Sequence, residues 1–387
     1  MAQDEKRERP LWEVVPFEER ELPRASQSSQ ARRRWQALGR WLTLGSEAGE
    51  EPARDEAQLE RLPRVRLANL APPIDWQPGA RALAHHLAVS GESAGPVTLL
   101  IGAPADGHAE LVEAWARLNG ARLLPEPAAG ALLAGEMPWA PEPSPHGWVI
   151  PRLERGFLRQ ATALSGLRNF LEAALTGRLG RGVIGCDSWT WTYLQHALAL
   201  PEAAAVTLQA FDGARLTRYL AATTRAAAAR TAGEPPAILA VGSGEPVLVD
   251  GDEASTSREL RELAAHCRGQ LGLAWHYWRA RLCDEAPEGE SPDTLWLAES
   301  LDEATLPGEV GEESVLLLHA LLLHGGLDEA LLPEVLPFSH ARALSGLRQL
   351  QRRGVVSCAE GLWRVAPLGY MSVRRLLEER TYLVDAL

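Results

Sequence analysis

The sequence predicts a parallel α/β domain with a helical lid, followed by a C-terminal winged-helix domain. Three observations carry this. Short apolar runs bounded by glycine or proline (PVTLLI at 96–101, GWVI at 147–150, GVIGC at 182–186) alternate with amphipathic stretches, the pattern of a three-layer sheet with helices on both faces. Two later stretches, Arg215–Arg230 and Ser257–Arg281, read as helices with no strong strand between them. The closing stretch 310–387 reads as three helices, two short strands around Glu360-Gly361 and a last helix, the order of a winged helix.

Taken in chain order, residues 1–66 are polar, carry 13 acidic and 13 basic side chains, and are expected to form a flexible arm. Within them, 31–44 (ARRRWQALGRWLTL) spaces Trp35, Leu38, Trp41 and Leu42 as one helical face beside Arg32, Arg33, Arg34 and Arg40. Such a short basic amphipathic helix either packs on its own core or docks on a protein or membrane face.

The domain at 67–212 opens with a helix, Ala80–Val89. A strand at 96–101, a glycine-bounded loop from Gly102 to Gly107 and a helix over Ala109–Leu118 follow. Arg122–Leu124 is a second strand, and a Pro/Gly/Ala-rich loop leads to the third at Gly147–Ile150. Phe157–Leu175 is a helix, Gly182–Cys186 the fourth strand and Val206–Leu208 the fifth. Residues 213–309 supply the helical lid and an acidic linker, Asp284–Pro292. In 310–387 the helices are Glu313–His324, Leu327–Leu336 and Ser339–Arg353, the last capped by Ser339 and Gly354. Val355–Ser357 and Leu362–Val365 are the strands and Tyr370–Leu387 the closing helix.

Composition narrows the chemistry. Of 39 Lys+Arg residues in the 387, only Lys6 is a lysine, which excludes Schiff-base and pyridoxal enzymes from the folded part. The formal charge is −12, and the excess sits in 67–309, with 29 acidic and 18 basic residues. An acidic body binds nucleic acid and anionic lipid poorly. The four cysteines lie far apart with no C-x-x-C pair, which suits reduced thiols in a cytoplasmic protein and argues against zinc. No apolar run approaches the roughly 18 residues that span a bilayer, and the charged N-terminus is not a secretory signal.

The strand–GAPADGHAEL–helix context meets the G-x-x-x-x-G spacing of a P-loop through Gly102 and Gly107. WVIPRLER then falls where a Walker B strand would lie, GVIGCDSWTW where a sensor-1 strand would lie, and HCRGQLGLAW like a turn in a helical lid. With a winged helix last, the order over about 67–387 resembles the AAA+ and STAND P-loop ATPases. The resemblance implies a P-loop-like sheet and a nucleotide site at Gly102, Gly107, His108, Ala109, Asp187 and Arg268, the last at the sensor-2 position. Members of those families often assemble into rings or other oligomers, but with no clear arginine finger in this sequence that property is not carried over, and an oligomer stays open. The departures are concentrated in the site. His108 and Ala109 stand where the family has the phosphate-binding lysine and the Mg²⁺-binding hydroxyl, and the third strand runs into Pro151, Arg152 and Leu153, with Glu154 displaced. Mg-ATP hydrolysis is therefore not expected, and no resident cofactor or metal is; ATP or ADP held by loop amides alone is the ligand that stays open.

Other polar residues have plain readings beside functional ones. Asp187 and Ser188 either cap the helix at Trp189 or make a sensor-like contact; Arg152, Arg155 and Arg268 are anion contacts or ordinary surface arginines. His85-His86 is no metal site, since helical neighbours point apart. Arg342, Arg348, Arg352 and Arg353 on the third closing helix suggest DNA phosphate contacts, which the near-neutral balance of 310–387 disfavours. The expected function is a non-catalytic, ATPase-shaped regulator or scaffold that associates with protein through 31–44 and the winged helix. The alternatives are a nucleotide-dependent switch or weak NTPase, and a DNA-binding regulator.

Overall fold

The computed structural model describes residues 10–23, 54, 56, 59–91, 95–134, 139–141, 144–230, 233–249, 255–285, 294–308 and 310–387. The basic stretch 31–44 lies outside them. No helix among the described residues is long and apolar enough to cross a membrane.

The chain begins with strand β1 (Val14–Pro16) and continues through β2 (Leu59–Arg61), helix α1 (Arg64–Leu70) and α2 (Gln77–Ser90) into β3 (Val97–Gly102) and α3 (His108–Asn119). Then come β4 (Arg122–Leu123), α4 (Ala129–Ala134), β5 (Trp148–Ile150), α5 (Ala161–Leu175), β6 (Gly182–Asp187), α6 (Ser188–Ala197) and β7 (Ala204–Leu208). These build a six-stranded sheet in the order β1-β7-β3-β6-β5-β4, parallel except for β1, which pairs antiparallel with β7. Alternate side chains sort onto two faces, as the pleat requires. Leu100, Val149, Val183 and Val206 meet Leu83 of α2 and Leu111 and Val112 of α3. Leu99, Ile101, Ile150 and Ile184 meet Leu167 and Leu171 of α5 and Leu194 of α6. The result is a three-layer α/β unit whose central strand β3 is buried along its whole length.

The first sixty-six residues are not simply an arm. Val14–Pro16 extends the sheet, the buried Arg215 pairs with Glu13 at 2.5 Å, and Trp12 sits edge-on to Trp76, Phe211 and Tyr219. The polar composition hid a three-residue strand whose partner is nearly two hundred residues away.

The lid region also departs from the expectation. Helix α7 (Gly213–Arg230) is followed by β8 (Ala237–Ala240), then α8 (Arg258–His266), α9 (Leu271–Arg281), β9 (Leu282–Glu285) and β10 (Thr294–Leu297). With β2 these strands form a second sheet, β2-β9-β10-β8. The single helix expected over Ser257–Arg281 breaks in two, because Arg268 and Gly269 both adopt left-handed φ, 54° and 73°. Part of the expected acidic linker is strand β9, held by Arg66, whose guanidinium binds Asp284.

The closing unit holds α10 (Glu312–Leu323), β11 (Leu327–Asp328), α11 (Leu332–Val335), α12 (His340–Arg352), β12 (Val356–Ala359), β13 (Leu362–Val365) and α13 (Pro367–Glu379). Its three strands form an antiparallel sheet in the order β11-β13-β12. Leu317, Leu318 and Leu321 share one core with Ala343, Leu347 and Leu350, and that core is continuous with α7, α8 and α9. The last helix stops at Glu379 instead of running to Leu387. Thr381 turns the chain with φ 59°, and residues 382–387 return as an extended segment.

Candidate functional site

In an open parallel sheet, ligands bind outside the C-terminal ends of the strands, where neighbouring connections diverge. Here that place lies above β3 and β6. From β3 the chain leaves along the α2–α3 face, and from β6 along the α5–α6 face.

The loop after β3 turns through a hydrogen bond from Asp106 N–H to Ala103 O, 3.1 Å, with Ala105 and Gly107 both left-handed. Gly107 is obligatory on two grounds. Its φ is 78°, and a Cβ there would lie 2.0 Å from the Trp76 ring. Gly102 is equally restricted, since a Cβ would come within 2.6 Å of His108 Cβ.

His108 opens α3 and points inward. Its Nε2 lies 3.3 Å from Glu154 Oε1, and both side chains are buried. Glu154 sits in a 3₁₀ turn, Leu153–Arg155, just past β5, and its Oε2 accepts the Asp187 amide at 3.1 Å. Asp187 in turn caps α6, Oδ1 accepting Trp189 N–H at 2.9 Å. Burial alone raises the Glu154 carboxyl, but the charge and hydrogen bond of His108 outweigh it and hold Glu154 below its ordinary pKa. Asp187 goes the other way: burial, then repulsion from Glu154, drive it well above the usual carboxylate range.

The other side of the loop is closed by the lid. Asp106 Oδ1 accepts Gly272 N–H, 3.1 Å, in the first turn of α9, and a Cβ on Gly272 would lie 2.0 Å from Ala105 O. Burial lifts Asp106 to about 6 despite Arg20, that amide and His108, which all favour its charge. What remains between Gly102, Asp106, His108 and Leu208 is a cavity of about 10 Å³, the space of one water.

The structure thus brings Gly102, Gly107 and His108 together with Asp187, through Glu154. Ala109 is fully buried and offers no oxygen to a metal. Arg268 is not directed at the loop: its guanidinium donates to the backbone oxygens of Leu387 at 2.6 Å and Ala386 at 3.2 Å. Arg152 is held by Glu110 and Glu126, and Arg155 by Glu126, Asp328 and Gly326 O, so neither presents a free cation to the loop. Among the described residues no cluster of His, Cys, Asp and Glu could hold a metal ion. Glu154 is the residue that sequence reasoning set aside. The available signal was a histidine after the second glycine matched by an acid just past the third strand.

No family model matches the chain, and no curated protein matches it. Among solved structures it is similar to the Walker-type ATPase PABY2304 of Pyrococcus abyssi, at 12% identity and a TM-score of 0.31, over 79% of this chain and 96% of that one. A likeness so loose assigns nothing by itself.

Proposed function

We propose that this chain is a non-catalytic protein of P-loop ATPase shape, of AAA+ or STAND type, that acts by associating with other proteins and no longer serves a nucleotide at its loop. One observation carries the reading. The side chain at the family's lysine position is a histidine turned inward onto Glu154, beneath a glycine that Trp76 covers. A triphosphate needs hundreds of cubic ångströms and a cation; the cavity between Gly102, Asp106, His108 and Leu208 holds about 10 Å³, and the loop keeps its own carboxylate, Asp106, against the lid. The sheet order supports the ATPase-like shape: the loop strand β3 is central and one strand, β6, separates it from β5. In the closing unit, helices α10, α11 and α12 with two antiparallel strands and α13 are in the order of a winged helix. On its helix α12, Arg342 pairs with Glu313 at 2.7 Å, and the near-neutral balance of 310–387 disfavours DNA as the partner. The expected partner is protein, reached through the winged unit and the basic stretch 31–44.

The test is ATP turnover together with thermal shift on ATP and ADP, with and without Mg²⁺. The expected result is no turnover above a heat-killed control and no stabilisation by nucleotide. Stabilisation by several degrees, or turnover lost in Glu154→Gln, would establish the nucleotide-switch reading instead.

A further inference from the structure

The crevice above β3 and β6 is occupied by the chain itself. After Thr381 the segment 382–387 runs extended, with Tyr382 and Val384 against the larger core and Leu387 in the core of the α/β unit. Leu383 and Ala386 face outward. Between them Asp385 is enclosed on all sides. Its Oδ2 accepts the Ser188 hydroxyl and, at 3.3 Å, that of Tyr370, while Oδ1 accepts Arg374 Nε at 3.2 Å. Arg374 Nη2 reaches the Asp385 backbone oxygen at 2.9 Å, and Arg268 takes the next two backbone oxygens. Arg20 stands beside them, donating to Arg268 O at 2.9 Å, and its buried Nη1 has no partner.

This is how proteins read an extended peptide. Two arginines and two hydroxyls fix one carboxylate and the backbone beside it, and an apolar socket takes the side chain two residues on. Ser188 opens α6 directly after Asp187, so the receptor is built on the ligand-binding edge of the sheet. We infer that the crevice is a receptor for an acidic peptide of the pattern Asp-x-Leu, filled in cis by residues 382–387, and that a partner protein carrying this pattern in an extended segment displaces them. The inference rests on the reading that the crevice serves protein association and not a nucleotide.

The experiment keeps the full chain through folding. A protease site is inserted between Thr381 and Tyr382, the protein is purified intact, and the site is then cut. Fluorescent YLVDAL peptide is added, and anisotropy follows its capture, with circular dichroism recording the fold. The expected result is that the cut fragment exchanges and the labelled peptide binds saturably. A peptide with Asp385→Ala should bind at least about tenfold more weakly, the loss for a charge-assisted carboxylate. Uncut protein should capture at least about tenfold less, because the tethered segment competes at millimolar effective concentration. Equal capture of the Asp385→Ala peptide overturns the proposal, as does a fragment that never exchanges, or a fold that collapses when it leaves. Adding Mg-ATP separates the two readings: peptide displaced by ATP would defeat the non-nucleotide function while leaving the receptor standing.

Discussion

Asp106→Asn should stabilise this protein increasingly as pH rises from mild acid to neutral. Asp106 is buried in the loop and accepts the Gly272 amide, a role that an asparagine oxygen can keep. Its carboxyl is lifted from 3.8 to about 6 because burial outweighs Arg20, the amide and His108. An acid whose pKa is raised on folding contributes stability fully present below its ordinary value, and that stability is lost as pH rises through about 6. The whole loss is about 3 kcal/mol at 1.36 kcal/mol per pKa unit, of which about 1.5 kcal/mol falls between pH 5 and 7.5. Asparagine has no such term. Urea denaturation of both proteins across that range should therefore show curves that separate by about 1.5 kcal/mol as pH rises, with the variant gaining on the parent. Parallel curves would refute the reasoning. A variant that instead loses ground to the parent as pH rises would show that the ionised carboxylate is what holds α9 on the loop.

Three further outcomes follow from the same contacts. Gly272→Ala drives a Cβ to 2.0 Å from Ala105 O, so it should cost about 2 kcal/mol or more by urea melt; an unchanged midpoint would mean that lid and loop are not packed as described. His108→Ala leaves Glu154 buried without its partner and should cost about 3 kcal/mol, whereas His108→Leu with Glu154→Leu should recover most of it, read from a double-mutant cycle. Burial lowers His324 to about 3, with Arg159 and Arg155 adding to it, so the neutral ring's contribution is present above about 6.5 and lost as pH falls toward 3; His324→Leu should flatten the stability profile between pH 6.5 and 5 by about 1.5 kcal/mol, and an unaltered slope there would count against it.

Strands β3, β5 and β6 were legible because sheets covered on both faces need unbroken apolar runs, and PVTLLI, WVI and GVIGC are such runs. The second sheet was not. Its strand β8 is four residues long, β2 is three, and β2 pairs with β9 across more than two hundred residues, so no local periodicity announces them. Gly269 did mark the break between α8 and α9, but it took the left-handed Arg268 beside it to end the helix. In the site, the loop glycines and the Asp187 cap could be read residue by residue. Glu154 could not, because a 3₁₀ turn after β5 carries it back to His108. The closing segment escaped for a related reason: α13 supplies a strong helical period up to Glu379, and the inward positions after it, Tyr382, Val384, Asp385 and Leu387, follow neither the helical period nor strict alternation.

Why residue 108 is a histidine can now be argued from contacts instead of composition. A chain with arginine in place of lysine everywhere beyond Lys6 would place arginine at 108 if drift alone decided it. The position has no room for one. Gly102 is pressed against the His108 Cβ, Trp76 covers Gly107, and Pro151 O lies where a Cβ on Gly185 would be, closing the floor near the imidazole. A guanidinium is longer and carries five donors, while the enclosed acceptor is a single Glu154 oxygen and the free volume is about one water. An imidazole spans the gap, donates from Nε2 and leaves only Nδ1 unmatched. The residue suits an internal hydrogen bond to a buried carboxylate and not an outward phosphate contact. Composition therefore explains why no lysine is there, and packing explains why the substitute faces Glu154.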